Sequence, residues 1–151
     1  MELEIELNIH DNWVYSHYVD YFKKRIILFT VYPHSDPEEF TDIYFDDVAF
    51  HYFEQEVMKK HEEYPPSVLF DISIIPHSTI TEIYAELFER LKNNGWPPNK
   101  KTDDLNVYFN KYIEMGYQCY DIGGVCGLSG FVVAKTVYEK SRKEKFVIEK
   151  L

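Results

Sequence analysis

Cysteine is scarce in this chain: Cys119 and Cys126 are the two in 151 residues. Two cysteines at this length make no disulfide framework, and a chain this long buries enough core to need no staple. In a reducing cytosol both are expected to be free thiols. Long apolar runs are missing as well. Nothing approaches the ~18 apolar residues of a membrane span. The start, Met1-Glu2-Leu3-Glu4-Ile5-Glu6, has neither the basic nor the apolar region of a signal peptide, so the cytoplasm is the expected compartment. Positive charge is the third shortage. Sixteen Lys and Arg face 26 Asp and Glu, for a net charge of −10. Nucleic acids and anionic membranes bind through a basic footprint, so neither is an expected partner. The same charge suits a basic protein partner, and it equally suits solubility alone.

Hydrophobic residues supply 45% of the chain, which indicates one globular domain over residues 1–151. Aromatics are abundant at 17%, with 13 Tyr and 11 Phe. Tyrosine packs cores and anchors interfaces alike. Glycine is rare but clustered: four of six lie between Gly123 and Gly130. The flanks of that run have strand composition, so a β-hairpin turn is expected there. A backbone nest for an anion is the alternative. The run lacks the Lys-Ser/Thr ending of a P-loop and the spacing of a dinucleotide or nucleophile motif.

Residues 2–9 alternate, with Leu3, Ile5, Leu7 and Ile9 against Glu2, Glu4, Glu6 and Asn8. Period two means a half-buried strand with an acidic outer face. Residues 12–21 continue the pattern. Residues 26–32 are apolar on both faces, as in a central strand. Further strands are expected at 41–46, 48–53, 67–75, 117–122 and 130–138. The segment from Glu139 reads as a charged tail with a possible edge strand at its end. Between them the period changes to 3.6. Ile80, Ile83, Tyr84, Leu87, Phe88 and Leu91 form one helical stripe, with Thr79 and Glu82 as a capping box and Gly95 as the C-terminal stop. Leu105, Tyr108, Phe109, Tyr112 and Ile113 form a second stripe, ended by Gly116. The expected fold is α+β: a mainly antiparallel β-sheet with two amphipathic helices packed on one side.

No catalytic constellation emerges. The six histidines have no metal-pair spacing, and His17 and His51 read as sheet packing. Cys119 and Cys126 carry no thiol-catalyst signature. Asp71 is the one carboxylate inside an apolar strand; alternation turns it away from Phe70 and Ile72. No cofactor, metal or enzymatic activity is expected.

Three stretches carry a resemblance: Ser67-Val68-Leu69-Phe70-Asp71-Ile72, Asn94-Gly95-Trp96-Pro97 and Gly127-Leu128-Ser129-Gly130-Phe131-Val132-Val133-Ala134-Lys135. Asn12 to Tyr15 and Asp42 to Phe53 fit the same pattern. Together they resemble small cytosolic proteins encoded beside Rhs/YD-repeat wall-associated toxins in Gram-positive bacteria. The resemblance implies an immunity protein that binds a cognate toxin domain, often a nuclease; it transfers no catalytic residues.

Strand alternation puts Glu4 and Glu6 on one polar side and Asp42, Tyr44 and Asp46 on another. If both strands share a sheet, these five residues form an open acidic face for a basic toxin C-terminal domain. Two other readings stand beside it: a ligand-binding or enzymatic domain at the Gly123–Gly130 turn, and a structural module that self-associates.

Overall fold

The computed structural model describes residues 3–4, 7, 9, 11–55, 68–95, 105–125 and 127–146, with backbone alone at 3–4, 68–71, 105 and 124–125. Among them are nine strands and three helices. In chain order these are β1 (Leu3–Glu4), β2 (Trp13–Asp20), β3 (Arg25–Tyr32), β4 (Glu39–Asp46), β5 (Phe50–Gln55) and β6 (Val68–Ile75). Then come α1 (His77–Ile83), α2 (Ala85–Asn93) and α3 (Leu105–Glu114), followed by β7 (Gln118–Val125), β8 (Leu128–Ala134) and β9 (Thr136–Arg142). Every strand pairing is antiparallel. The fold is α+β, as the change of period predicts.

The sheet order is β5-β8-β7-β6-β2-β3-β4-β9, with β1 beside β6. Its two ends are halves of one ladder. β4 leads into β5 and β8 leads into β9, and the register runs from Phe40↔Arg142 to Asp46↔Thr136, then from Phe50↔Val133 to Gln55↔Leu128. At the bend, Lys135 N–H donates to Asp46 O at 3.2 Å and Ala49 N–H to Val133 O at 2.8 Å. Asp47 takes a positive φ of 53° there. The sheet therefore curls back on itself as a barrel-like ring, in which β2 meets β6 through the pair Trp13↔Val68.

Alternation decides which side chains the ring encloses. Ile26 and Leu28 of β3, Ile43 and Phe45 of β4, Ile72 of β6, Tyr120 and Ile122 of β7 and Val132 and Ala134 of β8 make one buried cluster. β3 lies between β2 and β4, and its other face, Phe29 and Val31, is buried too. Burial on both faces explains its unbroken apolar run. The opposite faces of β7 and β8 present Cys119, Phe131 and Val133 to Ile80, Phe88 and Phe109 of the helices. Phe50, Tyr52, Tyr84, Tyr108 and Tyr112 surround them in edge-on and tilted ring contacts. Much of the aromatic excess is used in this layer. His17 and His51 both lie against Phe53, at 5.5 and 5.1 Å between ring centroids. They serve as sheet packing, and burial lowers the pKa of each.

The helical stripes are correct in substance, and three details differ. The helix starts at His77 behind Pro76, with no side-chain cap bond. Thr79 lies within the first turn, its N–H on Pro76 O at 3.0 Å, so the expected capping box does not form. Pro76, with φ −59°, is pre-set for a helix start and has no N–H of its own to satisfy. Tyr84 bends the stripe into α1 and α2. Ile83, beside that bend, and Ile113 of the second stripe are exposed. The helix stops are as expected. Gly116 at φ 94° lets its own N–H reach Ile113 O and Tyr117 N–H reach Tyr112 O, the paired bonds of a Schellman end.

The glycine-rich run is shorter as a loop than its composition suggests. Gly123, Gly124 and Val125 pair with β6, while Leu128, Ser129 and Gly130 pair with β5. β7 and β8 part company beyond Ile122↔Gly130. Cys126 lies outside the described residues. Gly130 has φ 153°, and a Cβ there would overlap the carbonyl oxygen of Tyr52. Its glycine permits close strand approach. Gly130→Ala is therefore expected to cost about 2–3 kcal/mol in urea unfolding. Gly116→Ala, with open space around it, should cost about 1 kcal/mol through φ alone. Equal effects of the two would show that β5 does not press on Gly130.

Candidate functional site

Asp42, Tyr44 and Asp46 do project from the face of β4 opposite Ile43 and Phe45, but that face is not open and acidic. Asp42 is 2% exposed. Arg142 donates to its Oδ2 from Nε at 2.9 Å and from Nη2 at 2.5 Å. Phe146 stacks on Phe29 with centroids 4.0 Å apart, and its N–H donates to Tyr15 Oη at 3.0 Å. The segment after β9 thus lies across the pair. Asp42 Oδ1 has no partner among the described residues, so the buried charge depends on Arg142.

Asp46 accepts from Arg25 Nε at 2.6 Å and from Tyr138 Oη at 2.8 Å. Tyr44 stacks on Tyr138 at 5.1 Å, with Arg25 at 5.4 Å and Lys140 at 5.0 Å from its ring. The expected acidic face is therefore a cation-lined one. The reason is β9. Its Tyr138, Lys140 and Arg142 alternate on the same side and stand across the ladder from Tyr44, Asp42 and Phe40. The signal was present in Thr136-Val137-Tyr138-Glu139-Lys140-Ser141-Arg142, which alternates through what reads as a charged tail. Glu4 lies in β1 beside β6, with β6, β2 and β3 between it and β4 in the sheet order. Glu6 lies outside the described residues. The five candidates are not brought together.

The acidic site lies at one end of the ring, where β2 begins, β3 turns into β4 and β9 ends. A cleft of about 720 Å³ opens there. Buried polar groups lie behind it: Asn12 Nδ2–H donates to Thr30 Oγ1 at 2.9 Å, and Thr30 Oγ1–H donates to the Thr41 carbonyl at 2.7 Å. Its apolar lining comes from Tyr32, Pro37 and Phe40, and its rim carries Asp11, Glu38, Glu39 and Glu139 beside Lys143, with the Asp42-bound Arg142 also in the lining. All five rim residues are exposed. The turn residues Pro33 to Pro37 place Glu38 and Glu39 there, since proline cannot continue β3. An acidic rim over an aromatic lining suits a cationic side chain or a basic protein surface.

The Cys119 thiol is buried, which pushes its pKa up to about 12, far from a reactive thiolate. No group of three or more metal-ligating side chains occurs among the described residues. The side chain of Asp71 lies outside the described residues. No helix among the described residues is long and apolar enough to cross a membrane.

No protein-family model matches the chain, and a search of curated proteins finds no match.

The Asp46 cluster gives a pH prediction. Burial raises the Asp46 pKa, but the hydrogen bonds from Arg25 and Tyr138 outweigh it and hold the carboxyl below its ordinary value. Its stabilisation is present above the unfolded pKa of about 4 and is lost as pH falls through the folded value. Both partners are partly exposed, so wild type should exceed Asp46→Asn by about 1 kcal/mol at neutral pH. Urea midpoints should show that gap closing toward about pH 3. A gap independent of pH would show that the carboxylate charge does not stabilise the fold.

Proposed function

We propose that the protein is an immunity protein that binds a basic toxin domain stoichiometrically and blocks it, with no chemistry of its own. The observation that carries this reading is the acidic, aromatic-lined cleft bounded by Glu38, Glu39, Asp11 and Glu139. The net charge of −10 adds long-range attraction for a cationic partner. The resemblance to proteins encoded beside Rhs/YD-repeat toxins names the kind of partner. A nuclease tip suits it, because an enzyme that handles a polyanion presents a basic cleft.

The contact is placed at the cleft and not on the β4 face, since Asp42 and Asp46 are already engaged by arginines. Rim charges act mainly on the on-rate. Glu38→Lys with Glu39→Lys should slow association with the cognate toxin domain about tenfold or more at low salt. The double variant should also flatten the salt dependence and stop growth rescue on co-expression. Asp46→Asn should leave the on-rate unchanged. If toxin tips encoded beside the gene are neither bound nor neutralised, the reading fails.

A further inference from the structure

At the other end of the ring, the turn joining β2 to β3 presents Tyr21-Phe22-Lys23-Lys24 to solvent. Phe22 is 100% exposed and Tyr21 79%, with Tyr18 exposed behind them. The tip is ordered by its own bonds. Asp20 Oδ1 accepts from Phe22 N–H at 3.0 Å and Lys23 N–H at 2.9 Å. Lys24 takes a φ of 52°, and its carbonyl accepts from Val48 N–H at 2.8 Å. Two aromatic side chains on a held turn, flanked by exposed Lys23 and Lys24, have the composition of an interface anchor.

The cleft complements it in shape and in its glutamates, with Arg142 and Lys143 on the side of β9. It is concave, its lining includes Tyr32, Pro37 and Phe40, and its rim carries Glu38 and Glu39. Its volume of about 720 Å³ is in the size range that houses a drug-sized group. β2 and β3 each run eight residues, which sets tip and cleft roughly 25 Å apart on one molecule. The tip cannot enter its own cleft. It can enter that of another copy.

We propose that the protein associates head to tail, with the Tyr21-Phe22 tip of one copy seated in the acidic cleft of the next. Lys23 and Lys24 then face Glu38 and Glu39 across the contact. This contact joins two different patches, so it propagates from copy to copy, into a ring where the rotation closes and an open chain where it does not. It is independent of the toxin reading but shares its cleft, so a toxin domain and the tip of another copy compete.

Sedimentation of the full chain from micromolar to millimolar concentration tests this without any toxin. Wild type should rise past the mass of a dimer as concentration increases, and added salt should weaken the association severalfold. Phe22→Ser keeps a cleft and loses the tip; Glu38→Lys with Glu39→Lys keeps a tip and loses the cleft. Each variant alone should be monomeric, and an equimolar mixture should form a dimer and stop there. Phe22 is fully exposed, so its replacement leaves the core intact. Wild type that remains monomeric throughout overturns the proposal, as does a dimer that survives Phe22→Ser. Monomeric wild type that binds phosphatidylserine vesicles through Phe22 would also overturn it and assign the tip to a membrane surface.

Discussion

The structure depends on one double strand that stays paired while it bends. Residues of β4 and β5 run against β9 and β8, and the turn of direction near Asp46 and Lys135 is bridged by backbone bonds on both sides. Unpaired backbone groups in a buried sheet are costly, so two long strands that keep their ladder through a corner force their neighbours to follow. β3 follows β4 on one side of the corner, and β7 follows β8 on the other. The sheet curls, its concave side fills with Ile26, Leu28, Ile43, Phe45, Ile122 and Val132, and its ends are brought round toward each other. Gly130 is part of that constraint, since β5 approaches too closely there for any side chain.

Closing the sheet this way gives the outside two unlike halves. Over β5, β7 and β8 the outer face is apolar and aromatic and is covered by the helices. Over β3, β4 and β9 it is a lattice of tyrosines, arginines and carboxylates, each charge set against another or against a ring. That half is polar without presenting an acidic surface. The acidic surface stands at one end of the ring and an aromatic-basic turn at the other, because β2 and β3 carry the chain straight from one to the other. The two ends therefore differ in kind, glutamate-rich at the cleft and aromatic with two lysines at the turn, a consequence of strand direction and not of net charge.

The element types were legible where a period repeats. Ile26 to Tyr32 reads as a central strand, and the stripe from Ile80 to Leu91 reads as helix, because burial of one face or two writes itself into the spacing. The start of that helix was misread at Thr79: a Thr-x-x-Glu pattern marks a cap only when the chain before it is non-helical, and Pro76 had already begun the helix one turn earlier. β9 was concealed by its charges. Lys140 and Arg142 look like a solvated tail until the partner strand that supplies Asp42 and Tyr44 is known.

The sequence by itself determined the class of fold, the alternation of the strands outside the bulges in β2 and β6, the glycine stops of the helices and the sign of the whole molecule, since all of these are local or additive. Only the tertiary structure decided what each face meets. Alternation turned Asp42, Tyr44 and Asp46 outward correctly, yet β9 lies 92 to 100 residues away along the chain from the partners it engages, and no local rule reports a charge brought from that distance. The same holds for the cleft: Asp11, Glu38 and Glu139 become neighbours because three strands end together, and strand ends meet only when the sheet closes.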